Sequence, residues 1–148
     1  METNIWGSDI SLGLTTERVL MAINRNLSRG FRAIGLEITP EQCAILVALW
    51  DKDEQSQQEL CNLTYKDKPS MTRLLDNLQK QELVVRVASK CDRRTNLIHL
   101  TAKGKKLREK VHSVVYPIQQ KAIKGIPRDK VDLCFDVLKT AFKNLVED

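Results

Sequence analysis

One continuous segment, residues 66–104, constrains the fold more than any other part of the chain. It has the pattern of a short basic helix, a β-strand, a turn-rich basic stretch, a second β-strand and the start of another helix. The β-forming runs are Leu83–Val87 and Leu97–Leu100, and the stretch between them is typical of a hairpin tip. This order predicts a helix that fits a DNA major groove, followed by a β-hairpin, or wing, that reaches the minor groove.

Basic residues are concentrated around this segment. Residues 64–110 contain 13 Lys and Arg against 5 Asp and Glu, whereas the rest of the chain contains 11 against 14. A DNA duplex carries about one phosphate per 1.7 Å of its axis, and clustered Lys and Arg bind it by displacing counterions. A solvated charged surface is the alternative explanation. The adjoining helix and hairpin pattern favours DNA binding.

The chain has the size and composition of one soluble domain. It has 148 residues, of which 42% are hydrophobic and 29% are charged, so it can bury its own core. No apolar run approaches the ~18 residues that cross a bilayer. The N-terminal sequence Met1–Gly7 lacks the basic and apolar regions of a signal peptide. We therefore expect a cytoplasmic protein that does not contact membranes.

The cysteines and histidines form no recognisable metal site. The four cysteines lie 18, 30 and 43 residues apart, and neither histidine has ligand spacing to a cysteine, so we expect no metal and no cofactor. Cys43, Cys61 and Cys134 lie in apolar helical patterns and are expected to be buried. Cys91 lies at the wing tip between two basic residues, which would favour its thiolate. A redox role is the alternative to an ordinary surface thiol.

Two capping boxes locate the predicted helix-turn-helix. Thr39 and Ser56 each precede a Gln or Glu three residues later, which predicts that a helix begins after each of them. A further helix begins at Asp67 or Lys68. Its outer face carries candidate DNA-binding side chains, and neighbouring residues join them. The candidates on and beside this helix are Lys66, Lys68, Ser70, Met71, Thr72, Arg73 and Asn77.

Long helices are predicted on both sides of this lobe. Apolar residues at helical spacing predict one helix over about 15–34. Thr101 caps another, which Pro117 should kink or break, and a last amphipathic helix follows Pro127. These helices are more apolar than a small lobe requires, so we expect them to pair with a second copy in a two-fold homodimer. Covering the monomer's own core is the alternative.

The predicted fold class is therefore mainly α-helical with a small β-hairpin wing. We interpret residues 1–148 as one domain with a winged helix-turn-helix lobe at about 39–101. The dimerisation helices would occupy about 10–36 and 102–148.

The wing sequence resembles the signature of the multiple-antibiotic-resistance regulator (MarR) family. Asp92-Arg-Arg-Thr-Asn-Leu-Ile-His-Leu-Thr-Ala-Lys-Gly104 matches Asp-x-Arg followed by Leu-x-Leu-Thr-x-x-Gly. Ser70–Leu78 is similar to the family's recognition helix, and the order of elements agrees over about 15–146. The resemblance implies a homodimeric regulator of transcription, repressor or activator, that binds a pseudo-palindromic operator in double-stranded DNA.

The resemblance also implies roles for wing residues. Arg93 and Arg94 would enter the minor groove, Asp92 would hold the wing arginine, and Lys90 lies beside them as a further DNA-binding candidate. Members usually place Gly where this chain has Glu82. A non-Gly residue there must take a left-handed conformation or end the helix differently.

Many members of the family release DNA when a small aromatic or phenolic compound binds, and others respond to oxidants through cysteine. Met21, Trp50 and Tyr116 are candidates for such an effector pocket, although aromatic residues and methionine at helical spacing also serve as ordinary core. Cys91 is the candidate for oxidant sensing.

Two other functional classes compete with a DNA-binding regulator. An enzyme would need a catalytic arrangement, and the sequence has no phosphate loop and no Ser-His or Cys-His pattern, so we expect no catalysis. A winged-helix module that binds protein or RNA is the third class. Such modules usually lack the wing arginines, whereas Arg93 and Arg94 are present here.

Overall fold

Within residues 11–147, which the structure describes, the computed structural model has six helices and three short strands. The helices are α1 (Leu12–Ala33), α2 (Pro40–Asp51), α3 (Gln57–Thr64), α4 (Lys68–Lys80), α5 (Ala102–Ala122) and α6 (Arg128–Val146). The strands are β1 (Gln55–Ser56), β2 (Val84–Ala88) and β3 (Asn96–Leu100). The predicted fold class is confirmed.

Some of the predictions from the sequence are not tested by the structure. The absence of a signal peptide and the first residue of the predicted segment 10–36 concern positions outside the described residues. The division into a DNA-binding lobe and dimerisation helices stays a prediction. In the part of the chain that the structure describes, none of the helices combines the length and hydrophobicity required to span a membrane.

Both predicted capping boxes are formed. The Thr39 hydroxyl accepts the N–H of Gln42 at 3.1 Å, and the Gln42 side chain accepts the N–H of Thr39 at 3.0 Å. Ser56 and Glu59 make the same reciprocal pair at 3.1 and 2.7 Å. The N–H of Ser56 stabilises the carboxylate of Glu59, so the pKa of Glu59 lies below its usual value. These bonds satisfy the free N–H groups that begin α2 and α3.

The helix-turn-helix and the hairpin share one hydrophobic core. Its fully buried side chains come from α1, α2, α3, α4, β2, β3 and α5, and include Phe31, Ile45, Leu60, Leu75, Val84, Ile98 and Val111. Met71 belongs to this core with 0% exposure, so its predicted place on the DNA-facing side is wrong. Met71 lies four residues before Leu75 and seven before Leu78, and this spacing places all three on one side of α4.

A third strand extends the predicted hairpin into a sheet with the order β1-β3-β2. Gln55 of β1 pairs with Ile98 of β3, and its side-chain amide donates to the carbonyl of Ala48 at 2.9 Å. The Asp53 carboxylate accepts the N–H of Leu100 at 2.9 Å. Only two residues form β1, too few for the alternation of polar and apolar residues that predicts a strand.

The turn between α4 and β2 has a left-handed residue, one of the two alternatives that the sequence allowed at Glu82. Glu82 has φ of +60°, a region that L-residues other than Gly enter at a cost of about 1–2 kcal/mol. Two hydrogen bonds hold the turn in place. The Thr101 hydroxyl donates to the carbonyl of Glu82 at 2.6 Å, and the N–H of Leu83 donates to the carbonyl of Leu78 at 3.0 Å.

α5 joins the wing to the terminal helices. It begins at the predicted cap, where the Thr101 hydroxyl accepts the N–H of Gly104 at 3.0 Å. It packs closely on α1, since a Cβ on Gly30 would lie 2.5 Å from a methyl group of Val114. The helix continues through Pro117, so the predicted break there is wrong, whereas the kink stays a prediction. Proline removes one helical hydrogen bond, and the rest of this long helix persists.

α6 leaves most of its apolar side uncovered within the chain. Val131 is its one buried residue, whereas Leu133, Phe135 and Leu145 are exposed. Cys134 is also exposed in the single chain, because little of the protomer packs on this part of α6. Its predicted burial is therefore wrong. Cys43 and Cys61 are buried as predicted.

We predict that Gly104→Ala destabilises the fold. A Cβ at this position would lie 2.1 Å from the backbone oxygen of Leu83, so the junction of α5 and the sheet must shift. We expect a loss of about 1–3 kcal/mol, the usual cost of overpacking, in the free energy of unfolding measured by urea denaturation. Gly13→Ala is the matched control, since its Cβ would meet only the Ser11 hydroxyl at 3.9 Å. Equal stability of both variants would contradict the close approach.

Candidate nucleic-acid interface

The outer face of α4 forms an open groove of about 570 Å³. It is lined by Lys68, Pro69, Thr72, Arg73, Asp76, Asn77 and Lys80. These residues recur at spacings of three and four, opposite the buried face of the helix. The structure thus brings together four of the predicted residues, Lys68, Thr72, Arg73 and Asn77. Pro69, Asp76 and Lys80 were not predicted as part of this surface, although the same helical spacing could have identified them.

Hydrogen bonds of the Asp67 and Gln57 side chains hold the N-terminal end of α4. The Asp67 carboxylate accepts the N–H of Ser70 at 2.7 Å, and this bond holds the pKa of Asp67 below its usual value. Ser70 is half-buried beside this cap instead of lying in the groove. The Gln57 amide donates to the Thr72 hydroxyl at 2.7 Å, which ties α3 to α4. The predicted residue Lys66 forms an ion pair with Glu41 of α2 at 3.2 Å.

Arg86 of β2 connects the wing to α4. Its guanidinium lies 2.8 Å from the Asp76 carboxylate and donates to the Gln79 side chain at 3.0 Å. A free carboxylate in this groove would repel phosphate groups, and the ion pair with Arg86 neutralises it. Arg86 was not predicted, because the pairing of a strand residue with a residue of α4 depends on the tertiary packing of the two elements.

The hairpin projects a basic tip from the sheet. β2 and β3 pair from Val84 opposite Leu100 to Ala88 opposite Asn96, and the turn extends beyond this last pair. The inner end of the hairpin is buried, since Val84 is 1% and Leu100 is 8% exposed. The tip is therefore anchored to the lobe at one end and open to a ligand at the other.

Asp92 shapes the wing turn through the backbone. Its carboxylate accepts the N–H of Arg94 at 2.9 Å and the Thr95 hydroxyl at 3.3 Å. The resemblance implied that Asp92 holds the wing arginine, and the bond holds the backbone of Arg94 instead of its guanidinium. Lys90, Arg93 and Arg94 are exposed, and within residues 11–147 no ion pair engages them. Their charges are therefore open to a ligand.

The three effector-pocket candidates do not come together. Trp50 lines a cavity of about 470 Å³ between α2 and α5, where its ring N–H donates to the carbonyl of Gly104 at 3.0 Å. Tyr116 does not line this cavity, but it stacks on His112, which does. Met21 lines a different groove, beside the start of α2. His112 and the acidic residues of the Trp50 cavity were not predicted as part of an effector pocket.

Exposure distinguishes the four cysteines. Burial raises the pKa of Cys43 to about 11 and also raises that of Cys61, so both thiols are poor nucleophiles at neutral pH. Cys91 and Cys134 are exposed. The redox role of Cys91 stays a prediction. Within the described residues, no cluster of His, Cys, Asp and Glu could hold a metal ion.

Comparisons with known proteins agree with this geometry. The MarR family model matches residues 36–95. The HTH-type transcriptional regulator MhqR of Bacillus subtilis is 26% identical over 130 residues, which cover 88% of each chain. Wild-type MarR from E. coli in its apo form is 26% identical with a TM-score of 0.72, and covers 89% of this chain and 97% of its own.

A second solved structure is a mutant MarR from E. coli complexed with operator DNA. It is 25% identical with a TM-score of 0.81, and the match covers 94% of this chain and 99% of that chain. Together with the wing signature and the winged helix-turn-helix fold, these matches show that the chain is similar to transcriptional regulators of the MarR family.

Proposed function

We propose that the chain is a repressor that binds a pseudo-palindromic operator as a homodimer and contacts it through α4 and the wing. The observation that carries the proposal is a pair of exposed basic surfaces, the α4 groove and the wing tip, on elements that the Arg86–Asp76 ion pair joins. A regulator of this kind needs no catalytic group and acts in the cytoplasm, where it meets the DNA.

Side chains of the α4 groove would read the major groove. Arginine recognises guanine through two parallel hydrogen bonds, and asparagine recognises adenine in the same way, so Arg73 and Asn77 are the base-reading candidates. Lys68 and Lys80 lie at the two ends of the groove, where they would bind phosphates. Arg86 keeps Asp76 from repelling the backbone.

The wing tip would enter the adjacent minor groove. A narrow minor groove has an enhanced negative potential that attracts guanidinium groups, which suits Arg93 and Arg94. The bond between Asp92 and the N–H of Arg94 gives the turn a defined shape before DNA binds. Less conformational entropy is then lost on binding.

We predict that Arg73→Ala and Arg94→Ala weaken DNA binding in different ways. Loss of a base-reading Arg73 should cost about 1–3 kcal/mol at one operator position and relax the preference there. Loss of Arg94 should weaken binding to many sequences alike and lower the slope of log K against log salt by about 0.9. Affinities measured over a range of salt, on the operator and its single-base variants, separate the two effects.

Lys124→Ala provides the control for this comparison. It removes one positive charge in the turn after α5, and the whole of α5, about 30 Å long, separates this turn from the wing. Its salt slope should equal that of the wild type. An unchanged affinity in Arg94→Ala would contradict the assignment of the wing.

Uncovered apolar side chains on α1 and α6 support the homodimer. Leu145 is 81%, Leu133 63%, Phe135 56% and Val19 54% exposed in the single chain. A contiguous patch of such side chains marks an interaction site. Two-fold pairing of these helices would place two α4 helices in successive major grooves, about 34–36 Å apart.

We predict that Phe135→Asp shifts the protein from dimer to monomer at micromolar concentration, because the carboxylate would be buried without a partner. Sedimentation velocity measures the change. Val87→Asp, at a similarly exposed apolar position on the hairpin, should leave the dimer intact. A wild-type protein that sediments as a monomer would refute the proposed homodimer.

The cavity between α2 and α5 is the proposed effector site. Its walls combine apolar and aromatic side chains with two carboxylates, and include Val47, Trp50, Asp51, Glu109, His112 and Val115. A phenol ring would lie against Trp50, and its hydroxyl group would donate to Asp51 or Glu109. A ligand there would move α2 against α5, and α5 continues directly from β3 of the wing.

We predict that catechol, used as a probe, releases operator DNA from the wild type and that Glu109→Ala resists release. A hydrogen bond to a charged group contributes about 1.5–3 kcal/mol, so the concentration for half-release should rise about tenfold or more. Glu37→Ala removes an exposed carboxylate outside the cavity and should behave like the wild type. Equal half-release concentrations in Glu109→Ala and the wild type would remove the cavity from the mechanism while leaving DNA binding unaffected.

A further inference from the structure

α1 carries a second basic surface, separate from the recognition helix and the wing. Its four arginines recur at spacings of seven, four and three residues: Arg18, Arg25, Arg29 and Arg32. All four are exposed, and helical geometry places them on the side opposite the buried Leu27 and Phe31. Glu17 is the only acidic residue of the helix. We call these four residues the arginine face.

Three members of the arginine face line a groove of about 640 Å³ between α1 and the start of α2. Arg25, Arg29 and Arg32 form one wall, and Thr39, Pro40 and Glu41 form part of the other. A guanidinium group presents planar pairs of donors that match phosphate oxygens. The groove therefore has the donor chemistry of a phosphate-binding site.

The acidic residue of this groove is already neutralised. Glu41 forms an ion pair with Lys66 at 3.2 Å, in which the Lys66 side chain is 23% and the Glu41 side chain 51% exposed. With Glu41 paired in this way, the guanidinium groups of Arg25, Arg29 and Arg32 give the groove a positive potential. An anion would meet no uncompensated carboxylate from the residues that line it.

The same ion pair locates the groove beside the DNA-reading surface. Lys66 immediately precedes Asp67, the N-cap of α4, and Lys68 lines the α4 groove. Two residues of chain span at most about 7 Å. The edge of the α1 groove at Glu41 thus adjoins the end of α4 at which phosphate contacts are expected.

We propose that Arg25, Arg29 and Arg32 form an additional phosphate-binding surface, which contacts the DNA backbone beside the bases that α4 reads. This inference rests on the proposed DNA-binding function. A phosphate group is the shared chemistry of a duplex and of a small phosphorylated anion. The three arginines favour a duplex over a small anion, because they extend about 10 Å along α1, farther than a single phosphate group reaches.

The test is the salt dependence of DNA binding by the double variant Arg25→Gln/Arg29→Gln. Each lost phosphate contact lowers the slope of log K against log salt by about 0.9, so two lost contacts lower it by about 1.8. Phosphate contacts carry no sequence information, so affinity for the operator and for an unrelated duplex of equal length should fall by the same factor.

Arg18→Gln is the matched control. Arg18 belongs to the arginine face but lies outside the groove, two helical turns before Arg25. Its salt slope should equal that of the wild type. Arg25→Lys/Arg29→Lys retains both charges and should keep most of the slope, and a loss equal to that of the Gln variant would indicate a disturbed structure and overturn the proposal.

An unchanged salt slope in Arg25→Gln/Arg29→Gln, while the wild type binds its operator, would overturn the inference. If pyrophosphate then raises the melting temperature of the wild type but not of the variant, the groove is assigned to a small anion instead of DNA. Absence of operator binding by the wild type would instead refute the proposed function, and this inference with it.

Discussion

Burial of one face of α4 is the constraint on which the rest of the structure depends. Met71, Leu75 and Leu78 are fully buried, and each such side chain contributes about 1.5–3 kcal/mol relative to an exposed one. Because this face is fixed against the core, the opposite face with Arg73 and Asn77 must face outward. The orientation of the recognition surface therefore results from core packing, before any contact with DNA.

The junction of α4, the sheet and α5 transmits that orientation to the wing. Leu83 lies at its centre: its carbonyl accepts the N–H of Thr101 at 3.1 Å and closely approaches Gly104. Glu82, immediately before it, is held in a left-handed conformation by the surrounding bonds. These bonds define where the hairpin leaves the lobe beside α4. The junction also connects the wing directly to α5, where the Trp50 cavity lies.

Pairing of acidic residues is a second feature of the basic surfaces. Asp76 is bound by Arg86, Glu41 by Lys66, and Asp92 by the backbone N–H of Arg94. The ion pairs offset the negative charges of Asp76 and Glu41, whereas the hydrogen bonds to Asp92 fix the wing turn and leave its charge in place. This arrangement allows a chain with a net charge of only +5 to expose strongly positive patches where binding is proposed.

The sequence by itself determined the features that depend on near neighbours. The caps at Thr39 and Ser56 and the family signature in the wing were predicted correctly, because a cap joins atoms three residues apart and the wing signature is one continuous stretch. Only the tertiary structure decided that Met71 is buried, that Cys134 is exposed and that Arg86 binds Asp76. Burial and ion pairing depend on which distant element packs against a side chain, and local spacing does not contain that information.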